Sequence, residues 1–417
     1  MLEFIAAQDR SGFDISGQVQ QILRDQEIDD DGPGTILQDF ETLLHFIGDD
    51  GLKTTGKYQF LPQSKLDELN LQMSHPVMHR LKRPQQRSFP HLHGLYLVLR
   101  ASGMATGVGA SPSGRLMLDQ ETVISWRDLN PTERYFALLE SWLVHGSPEI
   151  IAERGSWASS CMTSLTDVAF RLRDRRMTDH DRRGGLLYAT MGMTTAALME
   201  LFGWVRLEFA EPEAGESVRV TAIERRDWGD AMVNALNAAF LSRRWPTFDE
   251  EGPVEGSVMQ PLFQPYFPEY QRTLAQKEWP YRDGTFTWRV SLGKAWRRIA
   301  ASDDVSLDDL AMTILKAFEF DSDHLYCFEL RQPNGRTLRI ACPYEDDAVA
   351  FTDEVALGDL PIAEGGSMKM IFDYGESWRF DIKLEEIGPP AESDGPRILA
   401  QGGKPPAQYD WEDEDDY

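Results

Sequence analysis

At 417 residues the chain is too long for one ordinary hydrophobic core, so two or three domains are expected. Its 41% hydrophobic and 26% charged residues are usual for a soluble globular protein, but its net charge of -26 is not. Residues 1–250 carry 26 Lys+Arg against 35 Asp+Glu and residues 251–417 carry 16 against 33, so the C-terminal part should repel nucleic-acid phosphate and suits solubility or basic partners.

The N-terminal MLEFIAAQDRSGFDI lacks a basic stretch followed by an apolar core, so no secretory signal is expected, and residues 1–34 read as a polar lead-in. From Thr35 the apolar residues Ile36, Leu37, Phe40, Leu43, Leu44 and Ile47 fall at helical spacing until Gly48 stops the helix. Within residues 58–126, helical patterns over Leu61–Leu71 and His91–Ala101 precede strands at Met104–Val108 and Arg115–Leu118, with a glycine-rich tip between them. Helices followed by a hairpin give the outline of a winged helix, and Arg80, Lys82, Arg83 and Arg87, just upstream of its last helix, are the candidate phosphate contacts. The alternative is a small helical domain with a solvated basic loop.

Residues 130–245 read as a helical bundle. Asn130-Pro131-Thr132-Glu133 is a capped helix start. Arg171–Arg183, with six arginines among aspartates, suggests surface ion pairs on a helix as much as a phosphate site. Helices are expected over Leu186–Phe202 and Gly229–Arg244. The apolar run Leu186–Trp204 contains Thr194, Thr195 and Glu200 and reads as a buried helix, so no membrane partner is expected. Residues 246–279, rich in Pro and aromatics, form the candidate domain boundary, with Phe263, Tyr266, Phe267 and Tyr270 suited to packing on something.

From residue 280 the period changes to that of strands. Phe286, Trp288, Val290 and Leu292 alternate, Trp296–Ala300 gives a second strand, and Ser306 opens a helix. His324–Leu330 and Thr337–Ala341 read as strands around a turn at Pro333-Asn334-Gly335. Ser367–Glu385 is the clearest hairpin, with Met368, Met370 and Phe372 alternating before the turn and Trp378, Phe380, Ile382 and Leu384 after it. The fold class is therefore α+β: a mainly helical N-terminal region, then an α+β domain over 280–400 with an antiparallel or mixed sheet and one long helix, and an acidic, solubilising tail at 401–417.

Several ordered motifs, Lys294-Ala295-Trp296-Arg297-Arg298-Ile299, Leu307–Leu310, Ala317–Leu325, Phe372–Trp378 and the closing Ile398–Trp411, resemble the plasmid pRiA4b ORF-3-like family. Lys294-Ala295 stands where Pro-Ile or Pro-Val is expected, which shortens a loop. The resemblance implies a bacterial protein linked to plasmids and mobile elements, and brings no established reaction or catalytic residues.

The cysteines Cys161, Cys327 and Cys342 are widely spaced and form no CxxC pair, which suits a reducing cytoplasm. No P-loop, HExxH helix or nucleophile-and-base spacing is present, so no cofactor is expected. Among the polar residues Asp321, Asp323, His324, Asp373, Glu376 and Asp381, the set His324, Asp373 and Glu376 is the candidate catalytic site. The competing reading has the carboxylates shaping turns and Trp296 and Trp378 anchoring the core. His75, His79, His91 and His93 cluster, but no fixed spacing makes them a zinc site, so no metal is assigned. The leading functional expectation is a non-enzymatic interaction or regulatory protein with a protein partner and a DNA-contacting N-terminal region. The alternatives are a hydrolase with an acid/base or metal site around His324, Asp373 and Glu376, and an acidic DNA mimic that binds DNA-binding proteins.

Overall fold

The computed structural model describes residues 15–108, 114–153, 160–172, 174–178, 192–241, 256–275, 279–332, 337–346, 348, 350–390 and 395–409. The described residues up to 275 form one compact unit and those from 279 onward a second.

Unit 1 begins with a helix that the polar lead-in concealed. In α1 (Gly17–Asp25) the Ser16 hydroxyl accepts the Val19 N–H, and Leu23 is fully buried. One turn-spaced apolar stripe suffices because α1 packs on a later helix. Next come α2 (Ile36–Ile47), β1 (Leu52–Lys53), α3 (Gln63–Asn70), α4 (Pro90–Ala101), β2 (Ala105–Val108) and β3 (Arg115–Leu118). Their strands form an antiparallel sheet in the order β1-β3-β2. The helices-then-hairpin outline is present, with β1 added to it. The tip at 109–113 lies outside the described residues.

Beyond α5 (Gln120–Arg127), the helix start at Asn130 forms as its residues dictate. In α6 (Pro131–Leu143) the Glu133 N–H donates to Asn130 Oδ1 at 2.9 Å, and the Asn130 N–H donates back to Glu133 Oε2 at 3.0 Å. The helix expected over 171–183 is not formed by its described part. Arg171 ends α7 (Cys161–Arg171) and Arg176–Thr178 is strand β4. Alternating charge fits an edge strand as well as a helix, and this strand pairs with β6 (Val220–Arg225), itself paired to β5 (Val205–Phe209). The arginines do make exposed ion pairs, Arg175 to Asp227 at 2.8 Å and Arg176 to Glu208 at 2.7 Å. Residues 173 and 179–183 lie outside the described residues. The last two helices of the bundle are α8 (Gly192–Leu201) and α9 (Asp227–Leu241), the partner of α1.

Residues 256–275, including α10 (Met259–Phe263), pack into unit 1. Phe263, Phe267 and Tyr270 surround the Phe136 ring at 4.7, 5.3 and 4.9 Å. Two buried α6 carboxylates hold the ends of the segment. Glu140 accepts the Val258 N–H at 2.6 Å, and Glu133 accepts those of Gln271 and Arg272 at 3.1 and 2.7 Å.

The described residues of unit 2 form one antiparallel seven-stranded sheet, ordered β10-β9-β11-β12-β7-β8-β13, and a single long helix. Its strands are β7 (Thr285–Leu292), β8 (Ala295–Ser302), β9 (Tyr326–Arg331), β10 (Thr337–Ala341), β11 (Ser367–Phe372), β12 (Trp378–Gly388) and β13 (Arg397–Gly402), and its helix is α11 (Leu307–Ala317). Strands β7 and β8 join through a two-residue turn, Gly293-Lys294, in which Gly293 takes a φ of 59°. The hairpin of β11 and β12 closes on the pair Phe372–Trp378, and alternation sends Met368, Met370, Phe380 and Ile382 into the core with Leu310 and Ile314 of α11. Strand β13 was unforeseen: it pairs with β8 across residues read as the domain's end. Trp288 is the fully buried anchor, whereas Trp296 lies half-buried beneath the Arg289 guanidinium, 4.3 Å from its ring. Strand parity decides this, since Ala295, Ile299 and Ala301 take the core face.

Candidate functional site

The candidate catalytic residues lie where the β11–β12 loop meets the segment leading into β9. The Asp373 N–H donates to the Leu325 carbonyl at 3.0 Å, which brings Asp373 beside His324. Yet His324 Nε2 stands 3.6 Å from Asp373 Oδ2 and 3.7 Å from Asp323 Oδ1, beyond hydrogen-bonding distance. Its nearer neighbour is the Tyr409 hydroxyl at 3.3 Å, which also donates to Asp323 at 3.0 Å. Gln408 adds a bond to Asp323 at 3.4 Å. Dehydration acts upward on the Asp323 carboxyl, but the Tyr409 hydrogen bond, its own backbone N–H, the neighbouring His324 and Gln408, in that order, hold it below the usual range.

Asp373 is occupied by its turn. It sits at a φ of 52°, its Oδ1 accepts the Gly375 N–H at 3.0 Å, and its carbonyl accepts the Ser377 N–H at 2.6 Å. Glu376 is exposed and, among the described residues, joins the cluster only through its backbone N–H, 3.4 Å from Asp373 Oδ1. The structure therefore gathers His324, Asp323, Asp373 and Tyr409, and leaves the Glu376 carboxylate outside. A general base needs an oriented partner at hydrogen-bonding distance, and among the described residues His324 has no such carboxylate. Tyr409 falls within the closing motif Ile398–Trp411, and its partner Asp323 is 86 residues away in sequence. A second cluster escaped the sequence entirely. Arg339 makes a two-pronged pair with Glu345 at 2.7 and 2.9 Å, and Tyr374 donates to Glu345 at 2.7 Å.

In unit 1, Arg80, Lys82, Arg83 and Arg87 are all exposed, and none makes an ion pair with a described residue. They occupy the irregular stretch between α3 and α4. The Gly215 N–H donates to the Arg80 carbonyl at 3.3 Å, so this stretch lies against the loop carrying Glu211, Glu213 and Glu216. Every residue of α4, the last helix before the hairpin, is buried. A buried helix has no free face to place in a DNA groove.

The histidine cluster is divided. His91 and His93 sit on α4 rather than a strand, so the two-residue spacing sends them to different faces. His91 Nε2 lies 2.8 Å from Glu200 Oε2. His93 contacts Gln86 at 3.3 Å and faces Glu153 at 3.6 Å. Burial, then the nearby Arg87 charge, push the His93 imidazole down to about 4. His79 bonds Asp67 at 3.0 Å, and His75 stands apart, exposed. Among the described residues, no group of three His, Cys, Asp or Glu side chains has a metal-holding arrangement. None of their helices is long and apolar enough to cross a membrane.

A search of curated proteins returns no match. Among solved structures, the crystal structure of the protein of unknown function MM3350 from Methanosarcina mazei Go1 is similar at 23% identity, with a TM-score of 0.26, over 28% of this chain and 69% of that one. The C-terminal region, residues 289–413, matches the family model described as Plasmid pRiA4b ORF-3-like protein.

Proposed function

We propose that this protein is a non-enzymatic interaction module of the bacterial cytoplasm, in which unit 1 contacts the DNA backbone and unit 2 offers an acidic surface to a protein partner. The observation that carries this reading is the exposed set Arg80, Lys82, Arg83 and Arg87, which makes no ion pair with a described residue. It lies in residues 51–100, which hold eight Lys+Arg against two Asp+Glu in an otherwise acidic chain. The helix–strand–helix–helix–hairpin order around it supports a winged-helix-like reading, and with α4 completely buried the contact would be to phosphate. Such contact positions a protein on a duplex without reading bases. Glu211, Glu213 and Glu216 on the adjoining loop temper the affinity.

Fluorescence anisotropy of the full chain with labelled duplexes of different sequence tests this. Four phosphate contacts predict a loss of about a hundredfold in affinity between roughly 50 and 200 mM salt, with little sequence preference. Changing Arg80, Lys82, Arg83 and Arg87 to Glu should abolish binding, and changing Glu211, Glu213 and Glu216 to Gln should strengthen it. Absence of binding at low salt would sink the DNA contact and leave the protein partner.

A further inference from the structure

Unit 1 contains a cavity of about 490 Å³ to which the DNA-contacting reading gives no role, lined by Asp31, Thr35, His75, Glu200, Arg206 and Arg226 among others. That volume lies in the range of small-molecule sites. Its wall is a close backbone crossing. Gly34 and Gly203 both take positive φ, a Cβ on Gly34 would stand 2.1 Å from the Leu201 carbonyl, and the Thr35 N–H donates to that carbonyl at 2.8 Å. Any side chain at either glycine would force this crossing apart.

The polar groups are held in place from behind. Buried Asp39 accepts the Ser74 N–H at 2.7 Å, which fixes the residue before His75, and accepts the Thr35 hydroxyl at 2.7 Å. Buried Glu200 spends both oxygens on the protein, taking the Leu207 N–H at 2.6 Å and facing His91 at 2.8 Å. The cations are not so engaged. Arg206 and Arg226 are exposed and make no ion pair with any described residue, although the Arg226 backbone is anchored by its N–H to the Trp204 carbonyl at 2.9 Å.

We propose that this cavity binds a small molecule through a single oxyanion group, a phosphate or a carboxylate, held by the guanidinium groups of Arg206 and Arg226 with His75 as a further donor. Guanidinium forks match the oxygen spacing of both anions. Asp31 and Glu200, which line the same cavity, disfavour a second negative group, so a polyanion such as nucleic acid is a poor fit and the remainder of the ligand is neutral or a hydrogen-bond donor.

The test is thermal unfolding and isothermal titration of the full chain with inorganic phosphate and, separately, succinate monomethyl ester, at ionic strength matched with chloride. A saturable rise in Tm with either anion is expected, and the anion that produces it identifies the oxyanion. Arg206→Gln and Arg226→Gln, both at exposed positions that should not disturb folding, should each weaken binding by about tenfold or more, the worth of a charge-assisted hydrogen bond. His75→Gln should weaken it less. An equal rise with chloride, full binding by the Arg206→Gln/Arg226→Gln variant, or no saturable response to either anion would overturn the proposal. None of these outcomes depends on whether the chain binds DNA.

Discussion

Unit 1 buries Asp39, His91, His93, Arg100, Glu133, Glu140 and Glu200, whereas Arg297 is the one charged side chain buried among the described residues of unit 2. The difference follows from how each unit satisfies its backbone. Unit 1 is assembled from helices whose ends and connecting loops meet inside, leaving N–H groups that need acceptors. Glu133 takes those of Gln271 and Arg272, Glu140 those of Val258 and Met259, and Glu200 that of Leu207. In unit 2 the sheet pairs its own backbone, and alternation sends charge to the outer face. There Arg339, Glu329, Lys369 and Asp381 stand in register across four strands with alternating sign. Even Arg297 serves a helix end, donating to the Ala317 carbonyl at 2.7 Å while its guanidinium lies 4.6 Å from the Phe318 ring. Unit 1 should therefore respond to pH from within, and unit 2 mainly to packing.

The strongest test of that contrast is a deletion in the apolar core of unit 2. Phe380→Ala removes a fully buried ring that meets Phe318 at 5.2 Å and Phe320 at 5.7 Å. A loss of about 3–5 kcal/mol is expected. Hydrogen exchange of unit 2 peptides should show nearly the same loss at neutral and mildly acid pH; a strongly pH-dependent loss would break the comparison.

The next effect belongs to unit 1. The folded-state value of His93, about 4, lies below its ordinary 6.5, so the unfolded chain takes up the proton first. The contribution to stability is complete above 6.5 and is lost as the pH falls towards 4, by on the order of 3 kcal/mol. Protection factors of unit 1 peptides, corrected for the intrinsic pH dependence of amide exchange, should fall across that window in the native chain, and His93→Gln should flatten the response. Glu140 acts in the opposite sense: burial raises its carboxyl, so its contribution is greatest when protonated and fades as the pH rises through the folded value. The smallest effect sharpens the outer-face reading of unit 2. Lys369 and Asp381 stand 3.7 Å apart in solvent, and Lys369→Met should change the unfolding free energy by no more than about 0.5 kcal/mol.

The elements legible in the sequence were those whose signal is local. The Asn130 capping box, the Ser306 cap and the alternation through β7, β11 and β12 each need only neighbours along the chain. Elements held mainly by distant partners were missed or misread. Helix α1 has Leu23 as its one fully buried residue, β1 is two residues long, and β4 exists because β6 pairs with it. The candidate sites divide in the same way. The exposure of Arg80, Lys82, Arg83 and Arg87 agrees with their place in a charged, irregular stretch, whereas the crowding of Asp323, His324 and Tyr409 depends on the closing segment returning across 85 residues.

By itself the sequence determined the α+β class, the change from helical to strand period near residue 280, and the family resemblance of the C-terminal region. Period, capping and motif order are properties of consecutive residues. Only the tertiary structure decided that α4 is wholly buried, that His91 and His93 face different partners, and that Arg206 and Arg226 share a cavity with His75. Burial and proximity between residues a hundred positions apart are set by how helices and loops pack, which a one-dimensional pattern does not encode.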